Sequence, residues 1–131
     1  MVSSTTAQYE RLAVRLRDAY AARDMTAIGQ LLCDDVDWGT DDSPRRCRTR
    51  DQVVDTLTMA LRHGADGEIV SMDIGTAGIL AKLVVRWLPG DERPEESLIY
   101  HVYRVRGERV SQILAFDDEV GAREAAGVAP R

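Results

Sequence analysis

Histidine is the side chain whose charge changes nearest to neutral pH, and the chain carries two, His63 and His101. His101 falls mid-strand in the run Tyr100-His101-Val102-Tyr103, so His101 and Tyr103 share one strand face. If that face looks into a cavity, His101 can serve as a general base or acid and Tyr103 can donate a hydrogen bond to a ligand carbonyl. The same residues have a plainer reading, a buried histidine satisfied by a neighbouring hydroxyl and a tyrosine packed in the core with its hydroxyl at the rim. Tyr20, from the first helix, reaches the same space and carries the same two readings. Gln112 shares its strand face with Leu114 and Phe116. Leaving it buried without a partner costs about 1–3 kcal/mol, so it either binds a ligand or bonds to His101 on the neighbouring strand. Trp38, Trp87 and Phe116 are candidate cavity walls. Thr40, at the start of the polar loop 40–46, completes the ligand-contacting set.

Other chemistries find less support. Neither CxxC nor HExxH spacing occurs, so no metal and no cofactor are expected. Cys33 and Cys47 read as free thiols, too few for a disulfide scaffold. Cys47 would need a base to act as a nucleophile, and His63 reads instead as the C-terminal cap of its helix. Asp37, Asp41 and Asp42 precede Arg45, Arg46, Arg48 and Arg50. These charges form either a solvated loop with weak ion pairs or a lid whose arginines attract an anion.

A chain of 131 residues with 44% hydrophobic content supports one core, so residues 1–131 are expected as a single domain. Its core would span about 7–118, with 119–131 as a tail, and 117–126 reads as a short, partly frayed helix. A net charge of -5 argues against the phosphate backbone of nucleic acid as partner. Met1 to Gln8 is polar, and the longest apolar run, Ile79 to Leu88, includes Lys82 and Arg86. No membrane segment is therefore expected, and the expected location is the cytoplasm.

Positioning these residues requires helices first and strands afterwards. Tyr9, Leu12, Ala13, Leu16, Ala19 and Tyr20 make one helical face across 5–22. Asp24 caps a short second helix, and 34–39 reads as a strand leaving it. Thr49 and Gln52 form a capping-box pattern opening a helix to about His63, stopped by Gly64 and Gly67. From residue 68 the period becomes two: strands are expected over 68–77, 79–88, 96–106 and 108–116, as a meander. This predicts an α+β fold of order α-α-β-α-β-β-β-β, with the N-terminal helices packed on a mainly antiparallel sheet. Ile79, Ala81, Leu83, Val85 and Trp87 make a wholly apolar face for the helices. Leu80, Lys82, Val84, Arg86 and Leu88, with Tyr100, Val102, Arg104 and Arg106, make a mixed face that predicts a homodimer through the outer side of the sheet.

The element order and the runs Ala22-Arg23-Asp24, Ala27-Ile28-Gly29-Gln30-Leu31-Leu32, Asp34-Asp35-Val36 and Tyr100 to Val110 resemble nuclear transport factor 2-like (SnoaL-like) proteins over roughly 7–126. The stretch Trp38-Gly39 to Cys47-Arg48-Thr49-Arg50 is similar to an uncharacterised bacterial subgroup. The resemblance implies a cystatin-like cone, with the N-terminal helices packed on a curved sheet and a pocket between the concave sheet face and the helices. It covers ketosteroid isomerases, polyketide cyclases, scytalone dehydratase, limonene epoxide hydrolase and members with no demonstrated activity. Ketosteroid isomerization uses a carboxylate base with a tyrosine and a protonated aspartate. The corresponding positions fall here on Thr40, Leu16 and His101; a slip of a few residues would bring in Tyr20, Asp41 or Asp42. The Arg-x-Asp pair of the epoxide hydrolase has no inward counterpart. The resemblance thus leaves two expectations: a cofactor-independent isomerase, dehydratase or cyclase acting on a small apolar carbonyl compound, or a non-catalytic ligand-binding or dimerisation module.

Overall fold

The computed structural model describes residues 4–39, 47–87 and 96–129. Helix α1 (Ser4–Ala22) lays Leu12, Leu16, Ala19 and Tyr20 into the core. Asp24 caps α2 (Met25–Gln30) by accepting a hydrogen bond from the Ala27 N–H at 3.0 Å. Strand β1 (Leu32–Trp38) follows at once. Thr49 caps α3 (Arg50–Arg62) through the Gln52 N–H at 3.2 Å. The Gln52 side chain reaches back to the N–H of Arg48 at 2.7 Å, one residue earlier than a standard capping box would reach.

The sheet then runs through β2 (Asp66–Ile74), β3 (Ile79–Arg86), β4 (Glu96–Arg106) and β5 (Arg109–Phe116) in spatial order β1-β5-β4-β3-β2. The neighbours β2 through β5 pair antiparallel, as the meander requires. Strand β1 joins the edge of β5 in parallel, Trp38 opposite Ile113. The fold is α+β, with α1, α2 and α3 on one face of a curved, mainly antiparallel sheet. The main core lies between them, around Leu16, Ile28, Val36, Val53, Ile79 and Tyr103. No helix among the described residues is long and apolar enough to cross a membrane.

Two features depart from expectation. Residues 119–126, expected as a short, partly frayed helix of the tail, form α4 (Glu119–Ala126), which instead packs firmly on the other face of the sheet. Its Ala122 and Ala126 are wholly buried against Leu80, Tyr100 and Val102. Part of the mixed face is therefore covered by the chain itself. The β2–β3 turn docks on the end of this helix: the Ala77 N–H donates to the Ala126 carbonyl at 2.9 Å. A Cβ on Gly75 would sit 2.0 Å from that same carbonyl oxygen, so only glycine permits the approach.

The second departure is a bulge in β5. Val105 pairs with Val110 but Arg104 pairs with Gln112, leaving Ser111 as an extra residue. The bulge reverses the alternation, so Val110 and Ile113 both face the main core. Gln112 and Phe116 consequently lie opposite Arg104 and Tyr100, on the outer face. Phe116 packs against the α4 cluster. Neither residue can line a cavity shared with His101, which corrects the expectation for both.

Candidate functional site

The inner face of β4 presents Ile99, His101 and Tyr103 beneath the helices, next to Leu83, Ala81 and Ile79 of β3. The cross-strand neighbours of His101 are the small residues Ala81 and Ala115, which leave lateral room for an imidazole. Above it lies a cavity of about 190 Å³ between the sheet and the helices. Sites for drug-sized ligands usually measure ~300–1,000 Å³, so this one suits a smaller compound. Leu57 and Leu61 of α3 face Leu83, Val85 and Ile99 across it, and Trp38, Trp87, Tyr20 and His101 contribute rings.

Each ring has an identifiable support. Trp38 closes β1 and is clamped to Cys47 by a pair of backbone hydrogen bonds, both 2.8 Å. Its indole meets the His101 ring edge-on, with centroids 5.9 Å apart at 75°. Trp87 donates from Nε1 to the Ser97 hydroxyl at 3.1 Å. His101 is buried, and its Nδ1 lies 3.3 Å from the Tyr103 hydroxyl. That hydroxyl also hydrogen-bonds the hydroxyl of Tyr20. A chain of polar hydrogens therefore runs Tyr20–Tyr103–His101. The second imidazole nitrogen has no protein partner among the described residues, and it is not sealed away from space. It is left to the cavity that the ring lines.

Burial sets the protonation states. Removing the imidazolium from water pushes the His101 pKa down to about 4, so the ring is neutral at pH 7. Burial raises both tyrosines, Tyr103 well above the ordinary phenol value, so both stay protonated. A neutral imidazole with such a low pKa is a weak base but a good hydrogen-bonding group. Two proton arrangements satisfy the chain. Either Tyr103 donates to Nδ1 and the cavity-facing nitrogen carries a hydrogen, or Nδ1 donates to Tyr103 and that nitrogen is an acceptor.

Of the sequence candidates, the structure brings Tyr20, Trp38, Trp87 and His101 together around the cavity. Tyr103 lies beneath the ring, 1% exposed, and supports His101 without lining the space. Gln112 and Phe116 are on the far side of the sheet. Thr40, Asp41, Asp42, Arg45 and Arg46 lie outside the described residues. Arg50 pairs with Asp34 at 2.9 Å on the surface. The buried Cys47 sits 3.4 Å from the Thr56 hydroxyl, while His63 ends α3 as its C-cap. Among the described residues no group of three or more His, Cys, Asp or Glu side chains is placed to hold a metal.

Sequence reasoning missed Arg23 and Asp66, which flank the cavity mouth as an ion pair. They are 43 residues apart, and the one local sign was an arginine at the end of α1, where a glycine would be ordinary. The inner residues of β4 include no arginine and no aspartate, so this strand offers no inward Arg-x-Asp pair.

No family model and no curated protein matches the sequence. Solved structures do match. An LEH-like epoxide hydrolase of M. tuberculosis superposes with a TM-score of 0.67 at 16% identity, covering 93% of this chain and 91% of that one. An NTF2-like protein of unknown function from Mesorhizobium loti gives 0.72 at 12%, over 90% and 97%. A protein with a ketosteroid isomerase-like fold from Catenulispora acidiphila, in complex with trimethylamine, gives 0.64 at 13%, over 90% and 93%. At these identities the likeness concerns the fold, which hosts several unrelated activities.

Proposed function

Starting from a nuclear transport factor 2-like fold with one small apolar cavity beside a neutral histidine, we propose that the protein binds a small, largely apolar molecule carrying one carbonyl or hydroxyl. The observation that carries this reading is the tethered imidazole. One nitrogen is committed to Tyr103 and the other is left to the cavity. Trp38, Trp87 and Tyr20 supply the apolar walls. Because the ring is buried in a low-dielectric site, a ligand oxygen bonded to its second nitrogen makes a strong hydrogen bond there. Titration with cyclohexanone, read by tryptophan fluorescence and by the His101 imidazole resonances, tests this. Binding that weakens about tenfold in His101→Leu supports it, since one buried hydrogen bond accounts for ~1.5 kcal/mol. Equal affinity for both proteins would refute the role of His101.

The Tyr20–Tyr103–His101 chain favours a second reading, proton transfer in a cofactor-independent isomerase, dehydratase or cyclase. The hydroxyls can pass a proton to or from the inner nitrogen as the outer one acts on the ligand. A bound carbonyl compound whose α-hydrogens exchange with deuterium in the native protein, and not in His101→Leu, would establish it. No exchange leaves binding as the function.

A second copy of the chain is the proposed partner for the strip of outer face that α4 leaves open. Leu98 pairs with Val84 there and is 47% exposed. Sedimentation should show a dimer at micromolar concentration and a monomer for Leu98→Asp. A monomeric native chain would remove this proposal.

A further inference from the structure

The cavity mouth carries the only charged side chains among its described lining residues, Arg23 and Asp66. Arg23 holds φ at +53°, the only positive value at a non-glycine position among the described residues. Its N–H donates to the Tyr20 carbonyl at 3.1 Å, closing the end of α1. Glycine is the residue that this conformation favours. The arginine instead places a guanidinium at the mouth. Its Nε donates to one Asp66 oxygen at 2.9 Å, Nη2 donates to the other, and Nη1 reaches the Ala21 carbonyl at 3.3 Å. The two side chains are 47% and 32% exposed, so solvent screens the pair. A left-handed backbone is thus maintained at a residue whose charge stands at the cavity mouth, and this pattern points to use at the site.

We propose that Arg23 is the anion-recognition residue of this cavity, and that its ligand has a small apolar body ending in a carboxylate. Asp66 occupies the guanidinium fork until a ligand carboxylate takes its place with the same two-pronged geometry. This inference rests on the cavity reading given above. Asp66 is 32% exposed, so water can solvate its carboxylate once the ligand displaces it. The opposite exchange, a cation taking Asp66, would leave the guanidinium fixed next to an incoming like charge.

The test compares phenylacetate, phenylacetamide and 2-phenylethylamine, titrated into the full chain at low salt and read by tryptophan fluorescence. The native protein should bind phenylacetate at least tenfold more tightly than the amide. Asp66→Asn should tighten phenylacetate several-fold and leave the amide unchanged. Arg23→Gly should erase the preference. Its melting temperature should not fall below that of Arg23→Gln, because glycine relieves the backbone while both variants lose the ion pair. Amide or amine binding as tight as phenylacetate, or a preference that survives Arg23→Gly, overturns the assignment and leaves the cavity reading intact. Failure of all three compounds to bind overturns both.

Discussion

Acidification should destabilise this protein through His101, by an amount that follows from its burial. His101 is buried with its pKa pushed down to about 4, against 6.5 for the ordinary residue. Between those values the unfolded chain binds a proton at this position and the folded chain does not. Stability is therefore fully present above about pH 6.5 and is lost as pH falls toward 4. At 1.36 kcal/mol per pH unit the whole loss is about 3 kcal/mol, of which about 2 kcal/mol has gone by pH 5. Against a total stability of ~5–15 kcal/mol that is easily measured. The assay is urea unfolding of native protein and His101→Leu at pH 7.5 and pH 5.0. Carboxylates elsewhere affect both proteins alike, so the difference of differences isolates the histidine. Native protein should lose about 2 kcal/mol more than the variant over this interval. Parallel losses in the two proteins, or an imidazole that titrates near 6.5 by NMR, would show that the ring is hydrated and refute the reasoning.

Other outcomes follow from named contacts. Tyr103→Phe leaves His101 Nδ1 and the Tyr20 hydroxyl without their shared partner, so denaturant unfolding should show a loss of about 1–3 kcal/mol. Gly75→Ala sets a methyl against the Ala126 carbonyl. Calorimetry should report destabilisation of about 1–3 kcal/mol, the scale of overpacking, and dye binding should rise as α4 lifts from Leu80 and Val102. Gln112→Ala lies across the sheet from the cavity, so cyclohexanone affinity in the fluorescence titration should be unchanged.

Legibility in the sequence followed the range of the interactions. The caps at Asp24 and Thr49 were readable because a side chain and a backbone N–H three residues on decide them. The inward face of β4, with His101 and Tyr103, was readable because the alternation of that strand is unbroken where these residues lie. Gln112 and Phe116 were misplaced because one extra residue at Ser111 shifts the alternation, and no residue type there announces it. The docking of α4 was hidden because it depends on Ala122 and Ala126, small residues whose burial is made possible by Gly75 some fifty positions earlier. The Arg23–Asp66 mouth depends on the end of α1 meeting the start of β2, which no local pattern encodes. Local physics therefore carried the element order and the candidates Tyr20, Trp38, Trp87 and His101, while the bulge at Ser111, the docking of α4 and the cavity mouth depend on tertiary pairing.

The central claim is an open apolar cavity with the free edge of His101 turned into it. A crystal structure determined after soaking in cyclohexanone tests it most directly. The account predicts a ketone between Leu57, Leu83 and Trp38, its oxygen about 2.7–3.2 Å from the outer imidazole nitrogen. A space packed solid by these side chains, or an imidazole facing bulk water with the ketone absent, would contradict it.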